Sequence, residues 1–415
     1  MASFYPEYRQ TLDPRDWRAP GAAAVPAAGH PLIFAGFLLL MLFNVALPKG
    51  GIAAGDVPLT FGYMLVGLIA PLGLIGLIRR PAISPVAVFH FLALFLPLGL
   101  FTLYRIQSGA GAPVVLLTYS ALFLILPLVT LIVFSSYLEA LTERQIATVL
   151  KWCVVFVLGW GILNFLSYAL FTHFIEVPYL TINAADSGEI LGKNNRRGSL
   201  MKLVSTYNNG NVCGVCLLML MPLFVHVTKS RMWTVLMCLA IILTLSRTAW
   251  FGLVCVLGIM MALRLIRVTN IFGWTVGIAL AGVLILLLPA IGWTPDRLID
   301  PTLGHRDYQW LGLQITLFGS GEVRVHEILY LGLLQSLGVI GLLLALAVLF
   351  FPVGYGLASL SRLSALRRSA LAGIIAYLVV ACLDAALIYP PVFLQFLFLV
   401  ALLYRRGFAG AREAG

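Results

Sequence analysis

Residues 321–351 read GEVRVHEILYLGLLQSLGVIGLLLALAVLFF, and this stretch decides the fold class. Four ionisable side chains stand directly before its long apolar run: Glu322, Arg324, His326 and Glu327. An apolar run of about 20 residues is long enough to cross a bilayer as an α-helix. The stretch therefore predicts a membrane-spanning helix over 327–351, with a charged cluster where that helix begins.

The composition of the whole chain agrees with this interpretation. The chain is 61% hydrophobic and only 10% charged, whereas soluble domains are about 45–50% apolar and about 25% charged. Its apolar runs are long and continuous, which favours helices over alternating membrane strands. We predict an all-α, polytopic integral membrane protein with about twelve transmembrane helices. The predicted spans are 31–48, 59–78, 85–104, 113–134, 149–171, 208–227, 232–246, 248–266, 271–291, 327–351, 371–390 and 391–404.

Lys and Arg residues set the predicted orientation. With both termini in the cytoplasm, most of the 27 Lys and Arg lie on the cytoplasmic side, as the positive-inside rule requires. The two longest loops, 172–207 and 292–326, then lie on the outer side, and the second is predicted to carry a short interfacial helix within 307–317. The predicted domains are a cytoplasmic tail over 1–30, a single transmembrane domain over 31–404 and a cytoplasmic tail over 405–415.

Basic residues in the outer segments predict an anion site. Arg196 and Arg197 stand in NNRRGSLMKLVSTYNNGN just before a span, where an Arg fork and the free N–H groups of a helix start suit a phosphate. Arg247 in LSRTAW and Arg306 in GHRDYQW are further candidates. The alternatives are a polar loop with Asn-Gly turns for the stretch that carries Arg196 and Arg197, a snorkelling side chain at Arg247 and a surface ion pair of Arg306 with its neighbour Asp307.

The opening cluster contains the candidate acid–base group. Histidine is the side chain that can change its charge near neutral pH, so His326 has the chemistry of a general base or acid. Glu327 is adjacent in sequence and does not share a helix face with His326, so its alternative role is to stabilise the helix start. Asp384, within an apolar run, is either functional or a buried hydrogen-bonding group. The isolated His90 and the six cysteines are interpreted as packing residues.

Several common sites are missing from the sequence. It contains no P-loop, no dinucleotide fingerprint and no H-E-x-x-H motif, since position 330 is Tyr. We therefore predict no cofactor and no metal. The net charge of +11 is interpreted as a signal for membrane orientation rather than for nucleic acid.

The order of these motifs resembles the bacterial O-antigen ligase/polymerase superfamily of membrane glycosyltransferases. The resemblance rests on Val57-Pro-Leu-Thr60, on Arg197-Gly-Ser with the following YNNGN, on LSRTAW, on FGSG, and on His326 with the Gly338-Val-Ile-Gly341 block. It implies a GT-C-like fold in the bacterial inner membrane, with the active site facing the periplasm. The implied reaction is metal-independent, inverting transfer of a glycan from undecaprenyl diphosphate to a sugar hydroxyl. The implied partners are this lipid-linked oligosaccharide, membrane lipids, and an acceptor that is lipid A–core for a ligase or a repeat unit for a polymerase.

The resemblance also implies roles for the site residues. Arg197 and Arg247 would bind the diphosphate, with Arg196, Arg306 and Arg324 as further candidates. His326 would deprotonate the acceptor or orient it. The family usually has Asn or a similar small polar residue after the histidine, with the first glycine eleven residues on, whereas Glu327 follows here and Gly338 lies twelve residues from His326.

This departure leaves two questions open. An alignment shifted by one residue would place Glu327 at the family's histidine position, so the base is either His326 or Glu327. The extra carboxylate favours a repeat-unit polymerase over a ligase. The alternatives from other classes are a flippase or transporter of lipid-linked oligosaccharide, and a peptidoglycan polymerase.

Overall fold

The computed structural model describes residues 31–54, 57–79, 83–108, 113–183, 190, 195–197, 200–266, 282, 313–321, 328–383 and 390–406. These residues are mostly helical, with two short antiparallel hairpins. The helices are α1 (Pro31–Met41), α2 (Phe61–Arg79), α3 (Pro85–Phe89), α4 (Leu96–Ser108), α5 (Pro113–Ser120), α6 (Ser135–Ala140), α7 (Glu143–Phe171), α8 (Gly210–Thr228), α9 (Arg231–Leu243), α10 (Arg247–Ala262), α11 (Leu329–Ala358), α12 (Ala365–Val380) and α13 (Pro390–Tyr404). The strands are β1 (Gly51–Ala54), β2 (Val57–Thr60), β3 (Arg196–Arg197) and β4 (Leu200–Met201). π-Helical segments widen the bundle helices at Leu42–Ala46, His90–Phe95, Ala121–Ile125 and Leu128–Val133.

The membrane character of the fold is visible in the helix lengths. Within the described residues, five continuous helical stretches are long and apolar enough to cross a membrane. They are Pro85–Ser108, Leu117–Ala140, Glu143–Phe171, Gly210–Thr228 and Leu329–Ala358. The prediction of a helical membrane protein is confirmed at this level. The number of twelve spans, the GT-C-like fold and the compartment on each side stay predictions.

Several predicted helix boundaries differ from the structure, and two of the differences are instructive. Helix α7 begins at Glu143, well before the predicted start at 149. Thr142 caps it: its Oγ1 accepts from Gln145 N at 3.2 Å, and Gln145 Oε1 accepts from Thr142 N at 2.9 Å. This reciprocal capping box pairs backbone groups that a helix start otherwise leaves free. Helix α12 ends at Val380, whereas the prediction continued it to 390.

The interfacial helix predicted within 307–317 is wrong for its last residues. Residues 313–317 are not helical, and residues 307–312 lie outside the described part. The polypeptide at Thr316 and Leu317 instead uses its carbonyl groups to bind the backbone of α11. A tertiary partner therefore overrides the amphipathic pattern in this segment.

The core is built around α8 and α12. Both helices are buried around most of their circumference, as expected for helices enclosed by others. A Cβ atom built on Gly373 of α12 would overlap the carbonyl oxygen of Met219 in α8. Gly373 therefore allows the two backbones to approach closely, which is the usual role of small residues between membrane helices.

One end of the bundle collects the loops and hairpins. Asn183 Nδ2 donates to Ile52 O at 3.2 Å in β1, and Thr206 Oγ1 donates to Ala46 O at 2.7 Å. These bonds join the segment after α1 to the segment between α7 and α8. We call this end, marked by β1–β2, β3–β4 and the first turn of α8, the hairpin end.

The predicted packing role of His90 is confirmed. The ring is fully buried, with Nε2 2.9 Å from Val348 O and Nδ1 3.0 Å from the Tyr404 hydroxyl. A neutral imidazole satisfies both contacts by donating to the carbonyl and accepting from the hydroxyl. His90 therefore joins α11 and α13 to the π-helical segment that carries it.

The close approach at Gly373 gives a first prediction. Replacing Gly373 with Val should destabilise the protein by about 1–3 kcal/mol or more, because the obstacle is a backbone carbonyl that cannot rotate away. The measurement is the melting temperature of the purified protein in detergent. Gly258→Val in α10 is the matched control, since no atom lies within 4 Å of a Cβ built on Gly258. Equal melting temperatures for the two variants would contradict the central role of this contact.

Candidate functional site

The loop before α8 is held by a buried asparagine. Asn195 is fully buried, and its Nδ2 donates to Ile190 O and Asn208 O, both at 2.9 Å. Its Oδ1 accepts from the N–H of Gly210, the first residue of α8, at 3.2 Å. One side chain thus pairs three backbone groups that burial would otherwise leave without partners. The position of the following arginines depends on this anchor.

The two arginines after Asn195 form half of a small hairpin. Strand β3 pairs with β4, with Arg196 opposite Met201 and Arg197 opposite Leu200. Arg196 is exposed, and its guanidinium lies 5.9 Å from the centre of the Tyr168 ring at the end of α7. This distance is within the range of a cation–π contact. The hairpin therefore presents Arg196 at the surface of the hairpin end.

A buried lysine lies directly after the hairpin. Lys202 is only 3% exposed, and its Nζ donates to Asn211 Oδ1 at 3.2 Å in the first turn of α8. Its neighbours Met201 and Leu203 are also buried, so the chain enters the protein at this point. Lys202 lies within the predicted outer loop 172–207, and this buried role was not predicted from the sequence. The apolar residues on both sides of Lys202 were the available signal.

The first turns of two helices meet beside Lys202. A Cβ atom built on Gly210 would lie 3.1 Å from Thr244 O, and Leu203 N donates to Leu243 O at 2.8 Å. The turn between α9 and α10 therefore lies against the start of α8. Arg247, half-buried, is the first residue of α10.

Both of these helix starts are capped by side chains. Asn209 Oδ1 accepts from Asn211 N at 2.8 Å, and Ser246 Oγ accepts from Ala249 N at 3.4 Å. Each helix N-terminus carries a partial positive charge. The two starts, with Lys202 and Arg247, form an electropositive group that we call the cationic cluster.

A buried network of polar side chains lies beside the cluster and fixes the loop that precedes α8. The Tyr207 hydroxyl donates to Val45 O at 2.9 Å and accepts from Gln395 Nε2 at 2.9 Å. Gln395 is buried in α13, and its Nε2 also lies 3.2 Å from Asn44 O. Burial raises the pKa of the Tyr207 hydroxyl well above its usual value. The hydroxyl therefore stays neutral and can donate one hydrogen bond while it accepts another. The network connects the loop to α13 and to the π-helical segment after α1.

A second irregular feature of the described structure is a break in α11. Gly338 has φ +70° and ψ −171° within an otherwise helical stretch. Beyond it, residues 339–358 span about 30 Å at ~1.5 Å per residue, which is roughly the thickness of a bilayer core. The predicted span 327–351 is therefore divided at Gly338. Residues 329–337 form a short helical piece of their own before the break.

Segment 313–321 pairs the backbone groups that the break exposes. Ser320 N and Gly321 N donate to Gln335 O and Ser336 O at 2.9 and 3.1 Å. In return, Val339 N and Ile340 N donate to Thr316 O and Leu317 O at 3.0 and 3.2 Å. The FGSG and GVIG motifs, distant in the sequence, are thus hydrogen-bonded to each other.

Arg105 of α4 binds segment 313–321 beside its junction with α11. Its Nε donates to Phe318 O at 2.8 Å and its Nη2 to Gly319 O at 3.0 Å, while the guanidinium lies 5.8 Å from the centre of the Phe318 ring. The planar fork suits two neighbouring carbonyl groups. This role of Arg105 was not predicted from the sequence, because its partners lie more than 200 positions away in the chain.

The structure groups only some of the predicted site residues. It places Arg196, Arg197 and Arg247 at the hairpin end, around the start of α8. The other predicted site residues lie outside the described part of the chain: Arg306, Arg324, His326, Glu327 and Asp384. The choice between His326 and Glu327 as base therefore stays open.

Comparison with known proteins does not identify the chain. No protein-family model matches it, and no curated protein matches it in sequence. The resemblance to the O-antigen ligase/polymerase superfamily therefore stays a prediction from its motifs. Among the described residues, no group of three or more His, Cys, Asp and Glu side chains is placed to hold a metal ion.

The anchor at Asn195 gives a second prediction. Asn195→Ala should leave three buried backbone groups unpaired, at about 1–3 kcal/mol for each group that finds no water. We expect a lower melting temperature and faster proteolysis between α7 and α8. Ser167→Ala is the control, because Ser167 makes one exposed hydrogen bond, to His173 O, near the same end. A melting temperature for Asn195→Ala equal to that of the control would show that Asn195 does not anchor the loop.

The break in α11 gives a third prediction. Gly338→Ala should destabilise the protein, because an L-residue at φ +70° is strained and its Cβ would overlap the backbone at Leu317 and Gly319. Gly354→Ala, in the regular part of the same helix, meets no atom within 4 Å. It should gain up to about 1 kcal/mol from helix propensity. We expect Gly338→Ala to lower the melting temperature relative to wild type and Gly354→Ala to raise it. A higher melting temperature for Gly338→Ala would contradict the left-handed backbone conformation at this position.

Proposed function

We propose that this protein transfers a glycan from a polyprenyl diphosphate carrier to a sugar hydroxyl at the hairpin end of the bundle. The observation that carries the proposal is the cationic cluster. Two helix N-termini, a buried Lys202 and Arg247 converge there from separate segments. A helix N-terminus is a ready site for a phosphate, and a diphosphate has enough charge to engage both.

The chemistry of the proposed reaction makes use of such a cluster. The acceptor oxygen attacks the anomeric carbon, the bond from that carbon to the diphosphate oxygen breaks, and the diphosphate leaves with the bonding electrons. Cationic groups fixed in place stabilise the charge that develops on the leaving oxygen. The cluster can do this without rearranging, because Asn195, Asn209 and Asn211 already fix the loop and the first turn of α8.

The other end of the reaction needs a proton acceptor. In the proposed mechanism either His326 or Glu327 takes the proton of the acceptor hydroxyl as the new glycosidic bond forms. Both residues immediately precede the short helical piece that ends at Gly338. The junction of that piece with segment 313–321 gives it a fixed support on the described part of the chain.

The decisive experiment removes one charge from the cluster. Arg247→Ala should lower the turnover of a lipid-diphosphate oligosaccharide by about 10²–10³-fold, as expected when one leaving-group contact is lost. Purified protein is assayed in EDTA with donor and acceptor, and the products are separated by length. Arg264→Ala, at the opposite end of α10, is the control and should retain full turnover.

The products also separate the two proposed classes. Chains that grow by repeat units indicate a polymerase, and a single transfer to lipid A–core indicates a ligase. Wild-type protein that transfers neither would refute the proposed function. Undiminished transfer by Arg247→Ala would refute the role of the cluster.

A further inference from the structure

A laterally open apolar bay lies between α11 and α12. Its volume is about 340 Å³, and its walls are aliphatic and aromatic side chains. Leu342, Leu346 and Phe350 face it from α11, and Ile375 and Val379 face it from α12. These α11 residues recur at four-residue spacing, so the bay follows the helix axis.

The bay is closed at both ends by contacts between the two helices. At one end, the Tyr330 hydroxyl donates to Leu378 O at 2.9 Å, and Leu329 N donates to Ala381 O at 3.3 Å. Near the other end, a Cβ built on Gly356 would lie 2.6 Å from a methyl group of Leu371. The helices separate between these contacts, so the bay has a fixed length and an open side.

The bay approaches the cationic cluster at the end of α12. Val380, the last residue of α12, lies against Gly252 of α10. Gly252 is five residues after Arg247, which is about 7.5 Å along the helix axis. Only the end of α12, about one helix diameter of 10 Å, therefore separates the start of α10 from the bay.

We propose that this bay binds the isoprenoid chain of the lipid diphosphate, an inference that rests on the proposed function. If the diphosphate binds at the cationic cluster, the hydrocarbon chain attached to it must extend away from the hairpin end along apolar surface, because contact with charged groups would be unfavourable. Leu378 and Val379, which line the bay, directly precede Val380, so the apolar bay begins beside the contact of α12 with α10. Charge complementarity selects this occupant, because the positive start of α10 favours a lipid whose headgroup carries a diphosphate.

The test compares two donors that differ only in lipid length. Leu346→Trp fills the bay, and Val254→Trp adds the same side chain at an exposed site on α10. With a long polyprenyl donor, Leu346→Trp should raise KM at least tenfold over Val254→Trp. With a donor carrying two isoprene units, the two variants should have equal KM and kcat.

Each other result overturns the assignment. Unchanged KM for the long donor means that its chain lies elsewhere. Equal losses with both donors mean that Leu346→Trp acts through the fold. If the wild-type protein transfers glycan from neither donor, the proposed function itself is refuted. This outcome differs from one in which the protein is active but the bay has no effect on KM for the long donor.

A second measurement does not depend on activity. A photoreactive benzoylphenylalanine at position 346, irradiated in native membranes, should form an adduct with a polyprenyl lipid that mass spectrometry identifies. Adducts with phospholipid alone, or with residues 271–291 of the same chain, would show a different occupant and overturn the proposal.

Discussion

Every backbone group that leaves a helix in an apolar bundle needs a partner, and this constraint governs the hairpin end. An unpaired N–H or C=O in such an environment costs several kcal/mol. At Gly338 the partners come from segment 313–321, which runs alongside the break. At the start of α8 they come from the side chains of Asn195 and Asn209. The irregular parts of the chain are therefore as firmly specified as its helices.

The same need for hydrogen-bond partners also applies to the buried positive charge of the cationic cluster. Lys202 is enclosed, yet its ammonium reaches an amide oxygen in the first turn of α8. The neighbouring start of α10 adds Arg247 and a second helix dipole. A group of charges held by hydrogen bonds requires little reorganisation when an anion arrives. This property distinguishes the cluster from a surface patch of flexible lysines, whose side chains must be ordered by the ligand.

Part of this arrangement was available from the sequence. Apolar runs located α8, α9 and α10 within a few residues, since helix length in a bilayer is set by thickness. The capping box at Thr142 was also readable, although hydropathy alone missed it. The contact of Arg105 with Phe318 and the break at Gly338 were not, because they depend on residues far apart in the chain. The amphipathic pattern misled at 313–317 for a similar reason, since the broken helix α11 provides hydrogen-bond partners for the backbone there.

The position of Gly373 near the end of the chain has a consequence for biogenesis. Helix α8 is synthesised long before α12, the helix whose Gly373 packs against it at Met219. Lipid tails solvate this side of α8 in the meantime, because apolar side chains gain little by exchanging lipid for protein. Insertion and assembly are therefore separable events, and the bundle closes only after its late central helix has left the translocon. A ribosome that stalls before codon 365 would release an inserted but unassembled protein, which membrane quality control could recognise by its uncovered α8.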